Sequence, residues 1–255
     1  SEHSLRISVW IISPFSSYII VTVGISRSVP TIPPTIPAAK VIIPEEAVSI
    51  FLRYKKEYNN ISVVGIAGPG DALANFDETK DTLELIKKED PNITFCISTN
   101  GLLLPRYAGE LVKLGVTHFT ITINAVDEAV GALIYKKINY GCITYKGKEA
   151  AEILLSKQLE GIQVLRSYNT KIKVNTVYIK GINDKHIEDI VLKVRDMGCF
   201  VSNIMPMIPV IGSDFELFPR VNENEINDIR EKCSNIMPQM MHCKQCRADA
   251  IGLLV

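Results

Sequence analysis

From residue 41 to residue 233 the sequence alternates between helical and strand-like runs joined by short connections, and that rhythm constrains the fold more than any other feature. Helices are predicted over Pro44–Tyr58, Asp77–Glu89, Pro105–Leu114, Lys148–Tyr168, Asp184–Met197 and Asn222–Cys233. Pro44 suits a first helical turn, and Glu45 and Glu46 favour the dipole there. Gly115 and Gly198 supply stops. Between Lys148 and Tyr168, residues Ile153, Leu154, Leu155, Leu159, Ile162 and Leu165 recur at helical spacing. Strands are predicted over Ile61–Ala67, Ile93–Ile97, Thr117–Ile123, Lys171–Ile179 and Phe200–Met205. Buried parallel strands with helices outside are the economical packing of such a pattern. A doubly wound sheet and a full or partial barrel both fit. No GxGxxG follows a first strand, which counts against a dinucleotide-binding version.

Composition narrows the function classes. The 28 basic and 28 acidic residues cancel, so no basic excess exists to hold nucleic acid. Six cysteines in 255 residues are too few for a disulfide scaffold, and a Cys-x-x-Cys in a chain of this size reads better in a reducing compartment; with no convincing localisation signal, the cytoplasm is the default expectation. Residues 1–39 stand apart: they hold three charges, Glu2, Arg6 and Arg27, and neither Asp nor Cys. Their Ile, Val, Ser and Pro bias reads as one or two strands and a proline-rich connector. The uncharged stretch from Ile7 to Ile25 contains Pro14 and β-branched residues, a poor membrane helix. Neither a signal peptide nor a membrane contact is expected. The expected division is an atypical segment 1–40, a core 41–235 and a tail 236–255.

Polar and glycine-rich motifs recur at the strand ends. The first strand after residue 60 ends in Gly68-Pro69-Gly70-Asp71, the second in Ser98-Thr99-Asn100-Gly101 and the third in Asn124-Ala125. The fourth carries Asn175 and is followed by Gly181-Ile182-Asn183-Asp184. Each alone is more often a turn. Their coincidence on successive strands points to one shared site, since α/β barrels build sites at the carboxyl ends of strands. Asp71 offers a carboxylate to an amine or hydroxyl. Asn124 and Asn175 are expected to face a barrel mouth, suited to an amino-acid moiety or a ribose. No Ser–His–Asp set, P-loop or catalytic carboxylate pair is evident.

Cys243 and Cys246 form a Cys-x-x-Cys, with His242 adjacent. Metal or cluster ligation, a reduced structural pair and a redox motif are the alternatives, and the position in a C-terminal tail favours ligation. Cys96 lies among the strand-end motifs. Cys199 and Cys233 read as core residues, and Cys142 stays open.

Taken together, Ile61 to Asp71, Cys96-Ile97-Ser98-Thr99-Asn100-Gly101-Leu102, Thr120 to Ala125, Gln158-Leu159-Glu160-Gly161, Lys173-Val174-Asn175-Thr176-Val177, Gly181 to Asp184 and Cys243-x-x-Cys246-Arg247-Ala248-Asp249-Ala250 closely resemble the NifB family of radical S-adenosylmethionine (SAM) proteins, which build the nitrogenase iron–molybdenum cofactor. The resemblance covers residues 41–255 and looks like the family's short, stand-alone form. It implies an α/β fold, a partial (β/α)6 TIM-type barrel with SAM in its mouth. It implies up to three [4Fe–4S] clusters: one that cleaves SAM, and two that are fused with a SAM-derived carbide into an eight-iron precursor. By motif match, Gly68, Pro69, Gly70 and Asp71 hold the methionine end of SAM. Ser98, Asn100, Asn124 and Asn175 line its site, and Cys96, Cys243 and Cys246 ligate the accessory clusters. Expected partners are iron–sulfur cluster donors, nitrogenase cofactor carrier and assembly proteins, and a reductant.

One departure is large. The Cys-x-x-x-Cys-x-x-Cys that ligates the family's SAM-cleaving cluster belongs upstream of residue 41, where this chain has no cysteine. Three explanations compete: the abrupt composition change at the same place reads as residues 1–40 not being the natural sequence, the chain is a degenerate or engineered homologue, or the ligands come from another chain; an intact mass equal to that of the written sequence removes the first. A non-catalytic iron–sulfur carrier on the same fold, and a barrel enzyme with a structural zinc in its tail, are the alternatives.

Overall fold

The strands form where short apolar, β-branched runs can be covered on both faces, and the helices where one apolar stripe faces them. The computed structural model describes residues 6–11, 18–24, 43–57, 61–67, 71–209, 211–240, 246–247 and 253–254, the first two and last two stretches by their backbone alone. Two compact units emerge, residues 1–99 with 109–118, and residues 100–108 with 119–255.

In the first unit, β1 (Arg6–Ile11) and β2 (Tyr18–Gly24) form an antiparallel hairpin. Next come α1 (Pro44–Glu57), β3 (Val63–Ile66), α2 (Phe76–Glu89) and β4 (Thr94–Thr99). The strand order is β1-β2-β3-β4, with β2, β3 and β4 parallel neighbours. Glu45 and Glu46 open α1, while Lys55 and Lys56 close it, matching the helix dipole. Lys55 pairs with Asp90 just past α2. Side chains on β4 alternate as the pleat demands: Phe95, Ile97 and Thr99 are buried, Cys96 and Ser98 half-buried.

α3 (Leu104–Lys113) and β5 (Val116–Thr122) each contribute residues to both units. The second unit continues with α4 (Glu128–Ile134), β6 (Lys137–Tyr140), β7 (Ile143–Lys146), α5 (Gly147–Arg166), β8 (Lys171–Tyr178), α6 (Ile187–Asp196), β9 (Val201–Ile208), α7 (Glu223–Ser234), β10 (Cys246–Arg247) and β11 (Leu253–Leu254). Its main strands follow the order β5-β8-β9-β10, and β11-β6-β7 form a separate sheet. β8 and β9 pair in parallel, with Asn175 opposite Asn203. β10 extends β9 in parallel, with Cys246 opposite Met207. α5 buries Ala150, Leu154, Gln158, Ile162 and Leu165 on one face. Gly161 is needed on that face, because a Cβ there would lie 2.8 Å from Leu104 carbons. Buried Arg230 on α7 donates through Nε and Nη2 to the Ile204 carbonyl at 3.0 and 2.8 Å, fastening the helix to β9.

The predicted helices and strands are present with shifts at their ends. α4 and the β6–β7 hairpin were not among the predicted elements. α6 starts at Ile187 rather than Asp184, because the residues before it form a turn around the Asn183 side chain. β9 runs past Met205 to Ile208, Pro206 pairing with Tyr178. No helix among the described residues is long and apolar enough to cross a membrane.

Candidate functional site: strand-end carboxylate and amides

The predicted site residues of the first unit gather at the end of β4. Asp71 Oδ1 accepts from the Leu73 backbone N–H at 2.9 Å, an Asx turn that leads into α2. Thr99 Oγ1 donates to both carboxylate oxygens of Asp71, at 2.9 and 3.0 Å. This fixes the carboxylate against β4. The Ser98 hydroxyl lies on the other face of the strand, half-buried, with no partner among the described residues. Cys96 shares that face, and its lateral neighbour on β3 is Gly65. No side chain from that position therefore crowds the thiol. Gly68, Pro69 and Gly70 lie outside the described residues, as do His242 and Cys243, and only the backbone of Cys246 is described.

In the second unit the strand ends are laced by amides. Asn100 Oδ1 accepts from Leu102 N–H at 2.8 Å, closing a turn whose next residue, Gly101, has φ +87°. Gln158 on α5 donates from Nε2 to both the Asn100 and Thr122 carbonyls at 2.8 Å. Asn175 is half-buried, and its Oδ1 accepts from Asn203 Nδ2 at 3.0 Å.

Asn124 does not face outward as the sequence suggested; it is 1% exposed. Its Oδ1 accepts the Val177 N–H at 2.9 Å, and its carbonyl accepts from Asn183 Nδ2 at 2.9 Å. The buried Tyr135 phenol also bonds it; burial pushes that phenol well up, with the Asn124 bonds opposing. Asn183, fully buried, spends every polar atom of its side chain: Oδ1 accepts from Ile179 N–H at 2.7 Å, and Nδ2 donates to the Asn124 and Val177 carbonyls. An amide placed just past a strand end was the visible signal, but its depth was not.

The remaining cysteines divide by burial. Burial pushes the Cys199 thiol up to about 12, against a weaker opposing pull from Arg166. Cys233 is raised to about 11, again chiefly by burial. Both are core residues, as expected, and stay protonated at neutral pH. Cys142 is exposed in the turn joining β6 and β7, with φ 66°. No group of His, Cys, Asp and Glu that could hold a metal ion occurs among the described residues. A surface recess of about 440 Å³, bordered by Asp184, Glu188, Glu225 and Lys232, is lined by none of the predicted site residues.

Asn203 is the polar residue of this arrangement that the sequence did not single out, while Gln158 and Asn183 stood in quoted motifs with no part assigned to them. For Asn203 the signal was an amide inside an otherwise apolar strand. For Gln158 it was a polar residue on the buried stripe of α5.

Residues 24–194 match the family model described as the radical SAM superfamily. The "FeMo cofactor biosynthesis protein NifB" of Chlorobaculum tepidum is 40% identical over 216 residues, 85% of this chain and 51% of that protein. Its namesake from Klebsiella pneumoniae is 42% identical over 221 residues, 85% of this chain and 47% of that protein. The chain thus spans about half the length of the curated relatives it matches. Among solved structures, a domain of pyruvate-formate lyase-activating enzyme from Bacteroides vulgatus aligns with a TM-score of 0.47 at 12% identity, covering 69% of this chain and 96% of that one.

Proposed function

The chain belongs to the radical SAM superfamily, with its α/β partial TIM-type barrel fold, and from that premise we propose that it acts as a radical SAM enzyme in biosynthesis of the nitrogenase iron–molybdenum cofactor. Similarity to NifB proteins across 85% of the chain is the observation that carries the reading. In this proposal SAM lies against the strand ends. Asp71, held by Thr99 and the Leu73 N–H, receives its ammonium group, with Gly68, Pro69 and Gly70 alongside. Ser98, Asn100 and Asn175 supply hydroxyl and amide groups. Asn124 serves indirectly, because its side chain is spent holding β8. Cys96, Cys243 and Cys246 hold the iron–sulfur clusters that are the reaction's cargo, to be fused with a SAM-derived carbide. Cluster donors, cofactor carrier proteins and a reductant are the proposed partners, and the cytoplasm the proposed compartment.

Radical SAM chemistry also takes a resident [4Fe–4S] cluster, held by thiolates. The donor set of this chain does not fit it. Residues 1–95 contain no cysteine. The described cysteines are dispersed, Cys96 half-buried, Cys142 exposed, Cys199 and Cys233 buried.

One experiment tests the proposal. The purified chain is reconstituted anaerobically with iron and sulfide, reduced, and given SAM. Bound iron and retained SAM are expected, with 5′-deoxyadenosine formed once a three-cysteine loop is restored upstream of residue 41. Iron without 5′-deoxyadenosine in the restored chain identifies a cluster carrier instead. Zinc at one per chain with no iron overturns both.

A further inference from the structure

β8 and β9 carry an amide pair that folding stability does not explain. Their parallel register sets Asn175 opposite Asn203, so the two side chains leave the same face of the sheet. Asn203 is fully buried between buried Ser202 and Ile204. Asn is a poor strand former. Its Nδ2 donates to Asn175 Oδ1 at 3.0 Å, yet its own Oδ1 is enclosed without a partner. A buried acceptor left unmade costs more than an aliphatic side chain of the same shape. Asn175 differs. With its oxygen taken by Asn203, its remaining group is Nδ2, which is neither enclosed nor bonded to any described residue. The pair therefore has a fixed inner end and an outward donor.

We propose that Asn203 is a positioning residue for SAM. By donating to Asn175 Oδ1 it fixes which way the Asn175 amide is turned, so that Nδ2 is presented to an oxygen acceptor of the bound ligand. Without that donor the Asn175 amide rotates freely, and half its orientations offer the ligand an oxygen that repels it. The inference rests on the reading of Asn175 as a SAM-binding residue.

The test measures radiolabelled SAM binding to the full chain by equilibrium dialysis, alongside thermal melting. Asn203→Leu is expected to melt at or above the wild-type temperature. It should bind SAM about twofold more weakly, the factor lost when only half the amide orientations are competent. Combined with Asn175→Ala, it should weaken binding no further than Asn175→Ala alone, because the two act as one unit. Asn203→Asp adds a readout that a purely structural role would not move. A buried carboxyl has a raised pKa; protonated it donates to Asn175, ionised it only accepts. Its SAM affinity should approach wild type at pH 6 and fall relative to wild type by pH 8.5, the ratio cancelling the titration of SAM's own amino group, which both proteins share. Wild-type affinity in Asn203→Leu, a lower melting temperature accompanying its loss of binding, an additive double variant, or a ratio of Asn203→Asp to wild-type affinity that does not change with pH each overturns the proposal. Should Asn203→Leu not fold, Asn203→Asp decides alone. If wild type itself binds no SAM, the functional reading fails rather than this inference.

Discussion

Two amide pairs in the same unit behave oppositely. In Asn124 and Asn183 the amide groups are turned inward, toward Val177, Ile179, Tyr135 and each other's strand ends. In Asn175 and Asn203 one oxygen is enclosed without a donor and one NH2 faces outward. A closed set of hydrogen bonds specifies backbone geometry and has nothing left to offer a ligand. An open set costs stability and keeps an unspent bond. The difference separates scaffold from candidate site more sharply than residue type, since all four are asparagines.

Breaking the closed pair should have the largest effect. Asn183→Ala strands the Ile179 N–H and the Asn124 and Val177 carbonyls, all buried. The expected loss is about 3–4 kcal/mol of unfolding free energy in urea titration, the range of a broken buried network. A loss below about 1 kcal/mol, the net value of a single hydrogen bond, would erase the contrast.

Gln158→Leu comes next. Leucine keeps the apolar packing of α5 but removes the donor that holds the Asn100 and Thr122 carbonyls together. About 2 kcal/mol of destabilisation is expected, as for buried acceptors left unmade. The Asn100–Gly101 turn should also loosen, read as faster amide exchange at Leu102 and Leu104, whose N–H groups bond Asn100 Oδ1 and the Gly101 carbonyl. Unchanged exchange would mean that the turn holds itself.

The contrast extends to the thiols. Cys199 and Cys233 belong to the closed kind, with values of about 12 and 11 in the fold against about 8.5 in an unfolded chain. Because the folded values are raised, their contribution to stability is fully present below pH 8.5 and is lost as pH rises towards 11–12. Stability against urea should therefore be flat across these groups near neutrality and fall in that alkaline window. Cys142 should be alkylated in the native protein at pH 8 while these two are spared. Rapid native-state modification of Cys199 at that pH would remove it from the core.

The sequence exposes the parts governed by periodicity. The long apolar stripe of α5 is visible within two residues of its ends, and β8 within one. It hides what depends on depth and order. α4 and the β6–β7 hairpin follow Asn124 in a stretch too short for a clear helical period, although Asp127 is a readable cap. Its Oδ1 accepts from Ala129 and Val130 N–H groups, which hold the carboxyl below its usual range. The crossover that brings β8 beside β5 spans this whole stretch, so spatial order could not be read from the rhythm. For the site, the motifs mark Asp71, Ser98 and Asn100 as polar groups at or just past strand ends, while Asn175 lies inside β8. Nothing in the letters distinguishes Asn124, turned inward, from Asn175, turned partly outward. Period-two alternation gives a face; it does not say which neighbour supplies a hydrogen bond.

Asn175→Ala is expected to change stability least, and the comparison depends on that small number. Its Nδ2 already has no partner among the described residues, so removing it strands none of them. Its Oδ1 is the acceptor for Asn203 Nδ2, so truncation leaves one donor unmade. It also leaves space on the half-buried face for water to reach that donor, which limits the penalty. The net cost should be about 0.5–1 kcal/mol, a single ordinary hydrogen bond, measured by the same urea titration as Asn183→Ala. SAM affinity in the same variant should fall by about tenfold, in line with loss of a hydrogen bond to a charged or strongly polar acceptor. A variant losing as much stability as Asn183→Ala while binding SAM normally would place Asn175 with the scaffold, and the open pair would cease to be a site.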